Sequence, residues 1–257
     1  MPPADAGAVT DPASTAPATA VTTTAALDTG GEDTDAEDTD AEDTLDLHLP
    51  DDFAALFAEP GPGPAAGDDL LDGIDDWGPT PTSAGAFRLA PVRLERDLSL
   101  VSRWMNDPAV AAFWQLDGEQ SVTRQHLRAQ LSGDGRSAPC LGLLDGTPMS
   151  YWEIYRADLD PLARHYPARP HDTGIHLLIG APGDRGRGLG GTLLRAAADL
   201  ILDRRPACAR VVAEPDLRNA ASIAAFLTAG FRLSAEVDLP GKRAALMLRD
   251  RCARGLL

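Results

Sequence analysis

From Phe87 onward the chain alternates apolar and polar positions at the two periods that separate strands from helices. Phe87 to Leu94 alternates as a first strand, and Leu98 to Met105 carries helical spacing behind Asp97, a candidate N-cap. Asn106-Asp107-Pro108 stops that helix, Val110 to Trp114 adds a helical turn, and Val122 to Leu131 gives a second helix capped by Ser121 or Thr123. Pro139 to Leu144 and Pro148 to Tyr155 read as strands, and the Asp145-Gly146 pair between them is a strong hairpin signal. A proline-bearing loop runs to His171. Then come a strand over Gly174 to Ile179, a helix from Thr192 to about Arg204, a strand over Ala209 to Glu214 and a helix over Asn219 to Ala229. Gly230 and Phe231 open a return strand, and Lys242 to Arg249 closes the sheet. The order β-α-α-β-β-β-α-β-α-β-β predicts a single α/β domain over residues 86–257, with a mixed central sheet flanked by helices.

Residues 1–85 follow neither period. They hold 20 Asp and Glu and no Lys or Arg, and Glu32 to Thr44 repeats the unit Glu-Asp-Thr-Asp-Ala. Such a segment cannot bury enough apolar surface to offset its ordering entropy, which predicts a disordered, acidic, low-complexity tail. The formal net charge of −16 belongs to that tail, because the remaining residues carry 23 Lys and Arg against 19 Asp and Glu. The acidic balance therefore says nothing against an anionic ligand in the folded part. Two apolar patches flanked by acids, Phe53 to Phe57 and Leu70 to Trp77, interrupt the tail. They are either segments that fold onto a protein partner or incidental residues of a solubilising tail.

The chemistry concentrates after the strand ending at Ile179. Arg185-Gly186-Arg187-Gly188-Leu189-Gly190 places three glycines between a strand and a helix, leaving backbone N–H groups free beside a helix N-terminus. That arrangement suits a pyrophosphate, with glycine letting the anion approach the backbone and Arg185 and Arg187 adding charge at the rim. An ordinary glycine-rich turn is the plain alternative. A dinucleotide-binding loop needs an acidic residue roughly 20 positions on, and Glu214 lies farther; a Walker loop needs a Gly-Lys-Ser/Thr that is missing.

The Arg-x-x-Gly-x-Gly order resembles the acyl-CoA-binding loop of the GNAT acyltransferase superfamily, and the element order resembles the GNAT fold. That resemblance implies a V-splayed sheet in which the pantetheine arm hydrogen-bonds the open strand edge at Leu178 and Ile179. It further implies acetyl-CoA or another acyl-CoA as co-substrate, held by Arg185, Gly186, Arg187, Gly188, Leu189 and Gly190. Asn219 matches an Asn that opens the next helix in many members. The family's Tyr near the end of that helix is replaced by Phe226, which cannot donate a proton to the leaving thiolate.

Four segments narrow the resemblance: Trp104-Met105-Asn106-Asp107-Pro108 with Phe113-Trp114; Tyr151-Trp152-Glu153; Gly174-Ile175-His176-Leu177-Leu178-Ile179-Gly180; and Glu214-Pro215-Asp216-Leu217-Arg218-Asn219. Together they are similar to siderophore N-acyltransferases, which acylate the side-chain amine or hydroxylamine of lysine, ornithine or cadaverine. The similarity covers about residues 86–250 and implies His176 and Asp216 as the active-site pair. By residue type alone, His176 is either a hydrogen-bonded core histidine or a general base suited to neutral pH, and Asp216 either a turn residue or the group that orients the ring. Trp114, Trp152 and Tyr155 either wall an acceptor channel or belong to the core; Asp172 or Glu153 is a candidate for the acceptor's distal ammonium.

Two other readings stay open. One is an aminoglycoside 6′-N-acetyltransferase, which shares the early Trp-Asn-x-Pro start and the glycine loop. The other is a non-catalytic acyl-CoA-binding or partner-binding domain. The expected partners are a small amine or hydroxylamine and, for the tail, a protein; nucleic acid is not expected, because no basic cluster lies beyond the loop. No window resembles a secretory signal or a membrane span, and Cys140, Cys208 and Cys252 show no metal-ligand spacing. These features point to a cytoplasmic protein with reduced thiols and no metal.

Overall fold

The computed structural model describes Leu71 and residues 73–256. The acidic segment upstream, including Phe53 to Phe57, lies outside the described residues. The described residues form an eight-stranded sheet in the order β1-β2-β3-β4-β5-β6-β8-β7. The strands are β1 (Thr80–Thr82), β2 (Gly85–Pro91), β3 (Ser137–Leu144), β4 (Thr147–Arg156), β5 (Thr173–Ile179), β6 (Arg210–Ala213), β7 (Arg232–Leu239) and β8 (Lys242–Asp250). The helices are α1 (Leu94–Met105), α2 (Pro108–Trp114), α3 (Gln120–Leu131), α4 (Leu189–Arg204) and α5 (Ala220–Thr228).

The expected hairpin is present: Asp145 and Gly146 both take positive φ, 48° and 81°, as a two-residue turn between right-twisted strands requires. Asp145 also accepts a hydrogen bond from the Ala86 N–H, locking the turn to β2. Helix α1 starts a turn earlier than its spacing suggests. Asp97 is inside the helix rather than its cap, and its carboxylate reaches back to the Arg93 N–H at 2.8 Å. Asp107 caps α2, and α3 begins at Gln120, ahead of both expected caps.

Strand alternation sorts the core into layers. Trp152 and Ile154 of β4 and Ile175 of β5 pack with Leu193, Ala197 and Ile201 of α4. Tyr151 and Leu178 face the other way, onto Val101, Met105, Val110 and Leu127 from α1, α2 and α3. The packed region extends upstream of the boundary expected at residue 86. Leu71, Ile74 and Trp77 are buried in the α4-side core, the Leu71 N–H donates to the Gly135 carbonyl, and β1 pairs with β2. The apolar patch ending at Trp77 thus packs on the chain's own sheet, where acids such as Asp75 point outward to Arg88.

One irregularity positions the site. β5 and β6 run parallel, but their ladder consists of Thr173↔Val211 and Gly174↔Val212. Beyond Gly174, β5 stays paired with β4 out to Ile179 and diverges from β6, which pairs with β8. Its edge facing β6 is open over the stretch expected to hold a pantetheine arm.

Candidate active site

His176 sits on β5 just past the point where the strands part. The register of β4 and β5 places Glu153 directly across from it, on the same face as Tyr151 and Tyr155. The Glu153 carboxylate lies 2.9 Å from His176 Nδ1, and Glu214, one residue beyond β6, lies 2.5 Å from Nε2. Tyr155 donates to the other Glu214 oxygen at 2.8 Å, and Lys242, opening β8, donates to the Glu214 carbonyl at 2.7 Å. On the far side of Glu153, His126 of α3 approaches Oε1 at 2.5 Å, joined there by Gln130 and the Tyr151 hydroxyl. Gly174 makes the arrangement possible, since a Cβ there would collide with the Tyr155 ring, which stacks obliquely on His176 at 5.0 Å.

Electrostatics fixes the charge state. Burial works against a charged His176, but the Glu214 charge and the hydrogen bonds His176 donates to both carboxylates outweigh it, raising the imidazole from 6.5 to about 10. Burial likewise opposes ionised Glu214, and the His176 charge overcomes it, holding the carboxyl down at about 2. Glu153 is held well below the usual carboxylate range against its burial by hydrogen bonds from His126 and His176 and by the His176 charge. At neutral pH the centre is an imidazolium clamped between two carboxylates. Burial and the Glu214 charge push the Tyr155 phenol up, so it serves as a hydrogen-bond donor rather than a proton source.

The cluster opens to a cavity: the His176 side chain is 34% exposed and lines a space of about 270 Å³. This space meets a second one of about 560 Å³ that runs along β5 to the glycine loop, and Trp114, Leu177, Asn219 and Phe226 line both. Leu178, Ile179, Arg185, Gly186, Gly188 and Gly190 line the second space. Gly186 and Gly188 take φ of 71° and 79°, a backbone that disfavours side chains, and Gly188 caps α4. Asn219 caps α5 by accepting the Ser222 N–H.

Several expected residues sit elsewhere. Arg185 donates to the carbonyls of Ile179 and Gly180 and to Asp107, so its guanidinium ties the loop to α2 and β5 instead of standing free at the rim. Arg187 and Leu189 line a separate depression on the outer side of the loop. Asp216 shares the His176 cavity, but its carboxylate is bound by the Arg218 side chain at 2.7 Å and the Arg218 N–H at 2.8 Å. The carboxylates that reach the imidazole are Glu153 and Glu214. Trp152 is fully buried on the α4 side and donates to Ser150, so it cannot wall a channel on the His176 face. Asp172 is buried against Arg210 and Tyr166, away from either cavity, and is unavailable to a substrate ammonium. Cys140 and Cys208 are buried, with thiols pushed up by that burial. Among the described residues, no group of three or more His, Cys, Asp or Glu is arranged to hold a metal ion, and no helix is long and apolar enough to cross a membrane.

The acetyltransferase (GNAT) domain family matches residues 93–239, a span containing the splayed strands, the glycine loop and all three members of the carboxylate–imidazole clamp. The chain belongs to the GNAT acetyltransferase family. Within it, the chain is 37% identical over 172 residues to the lysine N-acyltransferase MbtK of Mycolicibacterium paratuberculosis, covering 67% of this chain and 77% of the relative. It is 36% identical to the N(6)-hydroxylysine O-acetyltransferase of Escherichia coli, over 65% of this chain and about half, 52%, of that protein. The solved structure of aminoglycoside acetyltransferase AAC(6')-Ib with coenzyme A superposes with a TM-score of 0.59 at 24% identity, covering 66% of this chain and 98% of that one, a likeness of fold.

For this GNAT domain, Glu214 and His126 are the residues that sequence reasoning left unassigned. Glu214 stands two residues before Asp216 in the same motif, so the motif was visible but not which of its carboxylates reaches the imidazole. His126 lies on a helix far from β5 in the chain, and nothing local marks it.

Proposed function

We propose that this GNAT domain is an acyl-CoA-dependent N-acyltransferase that acylates the side-chain amine or hydroxylamine of a lysine, ornithine or cadaverine derivative on the way to a hydroxamate siderophore. The observation that carries this reading is His176, clamped between Glu153 and Glu214 where the strands splay, in a chain similar over this region to enzymes named for lysine and hydroxylysine acylation. Transfer is direct: the acceptor nitrogen attacks the thioester carbonyl, and no acyl-enzyme forms. Acetyl-CoA or another acyl-CoA is the co-substrate, its chain along the open β5 edge and its diphosphate on the amides of the Gly186–Gly190 loop.

His176 was expected to be the general base. With both ring nitrogens bound to carboxylates, it enters the reaction as a cation instead, placed to stabilise negative charge on the tetrahedral intermediate and the leaving sulfur. Trp114, which lines the cavity and meets the His176 ring edge-on at 6.1 Å, forms the acceptor wall; Tyr155 does not line that cavity and instead donates to Glu214. The carboxylates of this cleft are already engaged by His176, Lys242 and Arg218, which leaves a polycationic aminoglycoside without the free acidic cluster it would need.

The test follows free-thiol release from acetyl-CoA and succinyl-CoA with N6-hydroxylysine, N5-hydroxyornithine, N-hydroxycadaverine and kanamycin. Release with a hydroxylated amine and none with kanamycin is expected. Turnover of kanamycin alone would convert the reading to aminoglycoside modification, and no release with any acceptor would favour a non-catalytic binding domain.

A further inference from the structure

We infer that His126 is the general base of this acyl transfer, presenting an unprotonated Nδ1 to the acceptor; the inference rests on the function proposed above. The argument starts from Glu153. Its Oε1 is a carboxylate oxygen and can only accept, so a group 2.5 Å from it must donate. The His126 proton is therefore on Nε2. A competing assignment would have Nε2 accept from Gln130, whose amide nitrogen lies 2.8 Å away. The Gln130 amide is oriented by Ser137, whose hydroxyl donates to Gln130 Oε1 at 2.8 Å, and the Gln130 N–H group is directed at the same Glu153 oxygen, 2.7 Å away. With the Tyr151 hydroxyl, three donors converge on one oxygen, which places the His126 and Gln130 nitrogens close together without a bond between them.

With its proton on Nε2, neutral His126 keeps the Nδ1 lone pair, and Nδ1 has no hydrogen-bond partner among the described residues. The side chain is 28% exposed and lines the same cavity as His176, Glu214 and Asn219. Glu153 thus serves two histidines differently. It holds one as an imidazolium with no free nitrogen and orients the other as a base with one nitrogen bare, an acid–base division set by environment.

The step balances. The acceptor nitrogen's lone pair forms the new C–N bond, and the carbonyl π pair moves onto oxygen beside the His176 cation. The nitrogen's proton passes to His126 Nδ1. When the intermediate collapses, the C–S bond breaks with its electron pair on sulfur, and His126 returns the proton to that sulfur, giving free coenzyme A and a neutral imidazole.

His126→Gln and His126→Ala separate this role from a structural one. Glutamine keeps an N–H for Glu153 but has no basic nitrogen. With the hydroxylated acceptor that wild type turns over fastest, both variants are expected to lose about 10²–10³-fold in kcat. Acetyl-CoA affinity should be unchanged in both, and added imidazole should raise the rate of His126→Ala. A fully active His126→Gln variant, or His126→Ala with lost activity that imidazole does not restore, would reduce His126 to a support for Glu153 and overturn the inference alone. Wild type that releases no thiol with any acceptor would overturn the functional reading and this inference with it.

Discussion

Strand β5 has one buried ion cluster at its start and another at its middle, and the two behave as opposites. At its start Asp172 is fully buried and accepts the Arg210 guanidinium, the Tyr166 hydroxyl and the Arg169 N–H. Arg210 also donates to the Pro167 carbonyl and lies over the Tyr166 ring, so the cluster straps the proline-bearing loop onto β6. Neither of the two spaces beside His176 is lined by this cluster. Four residues on, His176 is held by two carboxylates just as firmly, yet a third of its side chain faces an open space shared with a bare histidine nitrogen. Buried charge alone therefore does not mark chemistry in this fold. A charged cluster marks chemistry where its pairing leaves one face, and one lone pair, to something outside the chain.

Substitutions should break this contrast in order. His176→Ala is expected to lower kcat/KM by about 10²–10³-fold while leaving acetyl-CoA affinity nearly unchanged, and to lower the melting temperature as well because it strands two buried carboxylates, as steady-state kinetics, calorimetry and a thermal melt would show. Asp172→Ala should cost stability without the kinetic loss. It strands a buried guanidinium and costs about 3–5 kcal/mol of stability in denaturant unfolding, with kcat per folded molecule preserved. A kinetic collapse in this variant at full stability would mean that the strap belongs to the site.

Glu214→Gln comes next, at about 10²-fold in kcat/KM, the low end of the general acid–base range, because it removes the charge that keeps His176 an imidazolium. Asp216→Asn should be milder than Glu214→Gln, since Arg218 and not the imidazole holds that carboxylate. The reverse ranking would restore Asp216 as the partner of His176.

The smallest effect is in stability against pH. The folded His176 value, about 10, lies above its ordinary 6.5, so its contribution is complete below 6.5 and is lost as pH climbs toward 10. Glu214 has the opposite sign, contributing above 4.5 and failing as pH falls toward 2. Melting temperatures of wild type should decline across the alkaline window and those of His176→Gln should not. Parallel curves would contradict the clamp.

Much of this was legible in the chain. Asp145-Gly146 announced its hairpin because a primed turn needs those residues, and the loop glycines announced theirs because Gly186 and Gly188 must take positive φ. His176 stood out by strand position. Misreadings came where meaning depends on a distant partner. Arg185 counted as free charge until Asp107, which its sequence neighbours do not reveal, appeared beside it. Leu70 to Trp77 stood open between a partner-docking segment and incidental tail residues, because the flanking acids hide that Leu71, Ile74 and Trp77 cover α4. Glu153 meets His176 through the β4–β5 register and His126 through the packing of α3, neither of which any local pattern encodes.

The division of roles between the two histidines can be read directly from ring ¹⁵N shifts and ¹H–¹⁵N correlations of ¹⁵N-histidine protein, at a pH between 6.5 and 10. The expected spectrum shows His176 protonated on both nitrogens and His126 carrying its proton on Nε2 with Nδ1 bare. A neutral His176, or a His126 protonated on Nδ1 alone, would contradict the account at its centre.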